Sequence, residues 1–106
     1  MHNFRKLKFW EKSRILVKEI YELTKTFPSQ ERFEPSSQMK RAASSVIFNT
    51  ADGAGWHAEK EFKRFLDISS GSLSELKAQL IISFDLGYLG SIILDNFEEK
   101  YRKLEK

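Results

Sequence analysis

The sequence predicts an all-α fold, an up-down-up-down antiparallel four-helix bundle in one domain over residues 1–106. Three observations predict it. Four segments repeat apolar residues at steps of three and four, the period of a helix with one buried face. Breakers separate them, namely Pro28 to Pro35, the Gly53 and Gly55 pair, and Gly87 with Gly90, and connections this short favour antiparallel neighbours. Nothing alternates with period two for long, and no repeat of about 20 to 50 residues occurs.

The first helix lies within residues 4–27, where Phe9, Trp10, Ser13, Leu16, Val17, Ile20, Tyr21, Leu23, Thr24 and Phe27 make an amphipathic face. It starts near Asn3 or, if the alternating FRKLKFW is extended, only at Phe9, and it stops at Thr26 or Phe27 because Pro28 restricts the residue before it. Residues 29–35 read as a surface loop. The second helix opens beside Pro35 with Ser36 and Ser37 as candidate caps and ends near Gly53. Met39, Ala42, Ala43, Val46 and Thr50 form its apolar face.

The third helix runs from about Ala58 to Leu86, with Phe62, Phe65, Leu66, Ser69, Leu73, Leu76, Leu80 and Phe84 holding the period. At about 1.5 Å per residue it is about 40 Å long. Gly71 interrupts it at a cost of about 1 kcal/mol against Ala, which in a good helical pattern marks close packing. The small residues Ala42, Ala43, Ser44, Ser69, Ser70, Gly71 and Ser72 suit a close crossing within the bundle or a contact between subunits. The fourth segment, from Ser91 or Asp95 to Lys106, offers Ile92, Ile93, Leu94, Phe97, Tyr101 and Leu104 as one face. It is the shortest, and a continuation past Lys106 or fraying of its last turns is expected.

Composition narrows the function classes. With no Cys, disulfides and thiolate chemistry are excluded. No run of about 18 apolar residues exists, and MHNFRKLKFW lacks the apolar stretch of a signal peptide, so a cytoplasmic protein without membrane partners is expected. Charge is uneven: residues 1–41 carry ten Lys or Arg against five Glu, whereas residues 42–106 carry eight basic and ten acidic side chains. A basic first third is a footprint for phosphate backbones, and its plain alternative is a solvated helix face. Within it Arg5, Lys8, Lys12, Lys18 and Lys40 are the candidate phosphate contacts.

A catalytic site is hard to assemble. His2 and His57 are the only histidines, and neither has a second His at metal-ligand spacing. No Glu-x-x-His pair and no P-loop is present. The expectation is therefore no enzymatic activity, no metal, no cofactor and no small-molecule substrate.

More informative are two polar stripes. Gln38, Arg41, Ser45, Asn49 and Asp52 share one side of the second helix, and Ser72, Glu75 and Gln79 share one side of the third. Antiparallel packing would bring them together, with Arg41 and Glu75 as charged partners, in a network that fixes register more than it adds stability. A structural network is preferred over a ligand site. Phe48, off the apolar centre of its helix, and Trp56, in a Gly-flanked loop, suit either closing the core's end or packing at an interface. Stacking of a base on an aromatic near basic residues is a weaker alternative.

The strings FWEKSRILVKEIYELTKTFPSQE (9–31), SSQMKRAASSVIFNTADGAG (36–55) and EFKRFLDISSGSLSELKAQLIISFDLGYL (61–89) resemble the bacterial four-helix bundle proteins named after 23S ribosomal RNA intervening sequences. The family's second-helix pattern is matched by Gln38, Arg41, Ala42, Ser45, Val46, Asn49, Ala51 and Gly53, and its third by Phe65, Leu66, Gly71, Ser72, Leu73, Glu75 and Leu76. Asp52 replaces the family's usual Glu and is one methylene shorter, while Ile47 and Phe48 stand where Pro and Ser are common. The resemblance implies a left-handed bundle that assembles as a ring-like homopentamer with no enzymatic activity. It also implies kinship with accessory variability proteins of diversity-generating retroelements, for which nucleic-acid binding by a basic pentamer is proposed. Two functions are thus expected to compete: an accessory protein that binds RNA or DNA through its basic third, and a protein-interaction scaffold without polynucleotide affinity.

Overall fold

In the computed structural model the described residues are 4–28, 35–54 and 59–105, with side chains described over 8–28, 35–49, 62–102 and at Leu104. They form α1 (Phe4–Thr24), α2 (Pro35–Ala54), α3 (Glu59–Asp85) and α4 (Ser91–Glu105). No strand occurs among them.

Each helix buries residues at steps alternating between three and four. The rows are Ser13, Leu16, Ile20, Leu23 and Phe27 at α1 and its end; Pro35, Met39, Ala42 and Val46 on α2; Ser69, Leu73, Leu76, Leu80 and Ser83 on α3; and Phe97, Tyr101 and Leu104 on α4. A mean step of 3.5 keeps one row facing a partner helix along its whole length, the pattern of knobs-into-holes packing. All four rows contribute to one hydrophobic core.

That rhythm corrects the faces read from a looser period. After Leu80 it selects Ser83, which is buried with its hydroxyl 3.7 Å from Met39 Sδ, and leaves Phe84 exposed. Tyr21 falls beside the α1 row and is exposed, as are Ile92 and Ile93 on α4.

Named contacts settle direction. Along α2, Met39, Ser45 and Val46 meet Ser83, Ser72 and Ser69 of α3, so the two helices are antiparallel. Glu19 bonds Lys100, and the ring of Phe27, just past the end of α1, lies 5.3 Å from that of Tyr88, just before α4. α1 and α4 are antiparallel as well. Around the bundle the backbone of α1 neighbours α2, α2 neighbours α3, α3 neighbours α4 and α4 returns to α1, with no close backbone approach across the diagonals among the described residues. The body measures 46 × 23 × 18 Å.

The ends follow local chemistry. α1 stops without a glycine: Thr26 donates from both its amide and its hydroxyl to the Leu23 carbonyl, supplying partners that a helix end lacks. Helix α2 opens on Pro35, so Ser36 and Ser37 fall inside its first turn rather than before it; a fixed φ suits proline to that first helical position. α3 ends in a Schellman motif, with Tyr88 N–H on the Ser83 carbonyl, Gly87 N–H on the Phe84 carbonyl, and Gly87 at φ +83°. Gly71 differs from its expectation. It is exposed, and a Cβ built there meets nothing within 4 Å, so it marks no close packing inside the chain.

Candidate nucleic-acid interface

The α2–α3 seam joins the two polar stripes at their middle. Ser45 Oγ and Ser72 Oγ lie 2.8 Å apart, and Asn49 Nδ2 donates to the Ser45 carbonyl at 2.8 Å and to Ser45 Oγ at 3.2 Å. Beneath them Ser69 donates to the Val46 carbonyl at 3.1 Å. Hydroxyls this short admit close approach of two backbones and satisfy one another. The charged ends of the stripes do not join. Arg41 and Glu75 are both exposed and no ion pair links them among the described residues, because on outward flanks water competes effectively for long charged side chains. Gln38 is half-buried, and the Asp52 side chain lies outside the described residues.

The basic candidates do not share one surface. Lys18 is exposed on its outer side, whereas Lys12 lines a cleft between α1 and α4 together with Ile15, Leu16, Glu19, Lys100 and Leu104. Lys8 is exposed, and the side chain of Arg5 lies outside the described residues, as do His2, Trp56 and His57. Lys40 belongs to α2 and reaches α1, its ammonium 5.4 Å from the centroid of the Tyr21 ring. Tyr21 in turn has its hydroxyl 3.4 Å from Ser44 Oγ, which steadies the ring against α2.

Tyr21 therefore organises a strip across α1 and α2. Lys18 precedes it by three residues and Lys25 follows by four, a spacing that puts both on the stripe of the ring. Neither lysine has an ion-pair partner among the described residues; Glu22 is the acidic neighbour, while Glu11 is held by Arg14 at 3.1 Å. Sequence reasoning missed Tyr21 and Lys25 as members. The i, i+3, i+7 spacing of Lys18, Tyr21 and Lys25 was the available signal, and counting Tyr21 as core concealed it.

Among the described residues, no group of three His, Cys, Asp or Glu is placed to hold a metal ion, and no helix is long and apolar enough to cross a membrane. No curated protein is similar enough to the chain to count as a match. The profile of the 23S rRNA-intervening sequence protein family matches residues 5–106. Four helices around one core, in the order and extent that this match covers, place the chain in that family: it is a 23S rRNA-intervening sequence protein.

Proposed function

We propose that this chain is a non-enzymatic accessory protein of the cytoplasm that self-associates as a homopentamer and binds RNA or DNA. The observation that carries the reading is the Lys18, Tyr21, Lys25 and Lys40 strip, where an exposed aromatic ring sits among cations that lack ion-pair partners among the described residues. Lysines neutralise phosphates and release counterions, and a tyrosine face stacks bases of any sequence. A ring of copies would repeat the strip, and linked weak sites gain avidity without new contacts.

Fluorescence anisotropy with labelled single-stranded RNA and duplex DNA between about 50 and 200 mM salt tests this. Affinity is expected to fall linearly on a log–log plot, and replacing Lys18, Lys25 and Lys40 with Gln is expected to flatten that slope by about 0.9 for each phosphate no longer neutralised. Absence of binding at the lowest salt would end the nucleic-acid reading.

A second reading, a protein-interaction scaffold, draws support from Phe48, which is 65% exposed, and from exposed Ile68 on the neighbouring helix. It expects partner capture that ignores salt and no polynucleotide affinity.

A further inference from the structure

We propose that copies of this chain join head to tail, with the Phe48 ring of one protomer entering the α1–α4 cleft of the next. This rests on the self-association reading above and names the contact that makes it. Phe48 is the knob. It is 65% exposed on α2, and the register set by the Ser45–Ser72 bond puts exposed Ile68 of α3 near the same height. On its own the chain leaves this aromatic in water.

The hole is the cleft between α1 and α4. Ile15, Leu16 and Leu104 supply apolar walls around a volume of about 130 Å³. An apolar cavity of roughly 150 Å³ takes up benzene, so a phenyl ring is an occupant of the right size. Glu19 and Lys100 close one side of the cleft with an ion pair that bridges the helices. Lys12 stands at the wall with no ion-pair partner among the described residues, and an ammonium beside an entering ring adds a cation–π attraction.

Height along the bundle connects the two. Tyr21 is level with Ser44, so in antiparallel helices Phe48, four residues on, is level with Val17, four residues back. The cleft spans Lys12 to Glu19 on α1 and therefore lies at that level. Knob and hole sit on different sides of the bundle, which makes the contact heterologous, and their equal height allows successive copies to be related by rotation with little rise. A heterologous contact closes a ring where the rotation between copies divides a full turn, and otherwise continues as an open chain.

Light scattering on the whole chain, with circular dichroism to confirm helix content, tests the pairing. Phe48→Ala removes the knob and keeps the hole; Ile15→Trp fills the hole and keeps the knob, with Ile15→Glu as a second blocking variant should the indole disturb folding. The wild type is expected to assemble and each variant alone to run as a 12.4 kDa monomer. An equimolar mixture of Phe48→Ala with either blocking variant is expected to form a dimer and stop there, because one intact knob meets one intact hole. A monomeric wild type would overturn self-association as a whole. Assembly that survives Phe48→Ala, a single variant that dimerises with itself, or a mixture that stays monomeric would overturn only the head-to-tail contact.

Discussion

Two glycines of α3 and its end differ in kind. Gly71 lies in mid-helix with open space around its missing side chain, whereas Gly87 holds φ +83° and closes the Schellman motif. Gly71→Ala is therefore expected to stabilise the protein by up to about 1 kcal/mol, since alanine restricts the unfolded chain and the native site can accept it. Gly87→Ala is expected to cost about 1 kcal/mol or more, because an L residue resists the left-handed region. Thermal unfolding monitored by circular dichroism checks both signs, at about 4–8 °C of Tm per kcal/mol for a chain near this size. Both residues interrupt the sequence in the same way. Only the surroundings of Gly71 distinguish a packing glycine from a tolerated one, and those surroundings belong to the tertiary structure.

At the scale of the element, the existence and extent of each helix were legible. The expected end of the first helix at Thr26 or Phe27 stands two or three residues beyond Thr24, and the third helix differs from Ala58–Leu86 by one residue at each end. What a single helix does not disclose is which member of a broad apolar run faces inward. Phe84 and Ser83 both extend the α3 pattern, and the seven-residue rhythm imposed by neighbouring helices favours the serine. Leu80→Ala is accordingly expected to cost about 2–5 kcal/mol, the range for a fully buried leucine, and Phe84→Ala well under half of that. Urea unfolding with unchanged slope separates the two; equal losses would mean that Phe84 is as much core as Leu80. The polar stripes were legible for a related reason. Ser45 and Ser72 are short, so once the helices are antiparallel their hydroxyls have few other places to go. Arg41 and Glu75 are long and sit outward, and sequence spacing carries no information about the depth at which a flexible side chain ends.

For the molecule as a whole, support is uneven. α2 is embraced by α1 and α3 and shares its most extensive interface with α3, while α4 rests on α1 and α3 at fewer places. Local opening follows the local density of packing. Amide hydrogen exchange is expected to find α4 the first helix to lose protection and the facing stretches of α2 and α3 the last. Uniform protection across the four would contradict that order. The candidate interface was only partly readable at this scale, since Lys12 and Lys18, both named from charge, lie on different sides of α1, Lys40 belongs to α2, and the strip around Tyr21 exists only when α2 lies alongside.

The bond between Glu19 and Lys100 joins residues 81 apart in the chain. During synthesis, which proceeds from α1, three helices emerge before the partner of Glu19 has been made. Until α4 has been made, Leu16, which lines the cleft shared with Leu104, has no cover on that side, and unshielded apolar surface in this interval invites aggregation. Closing that flank of α1 therefore falls to α4, the last of the four helices to be made.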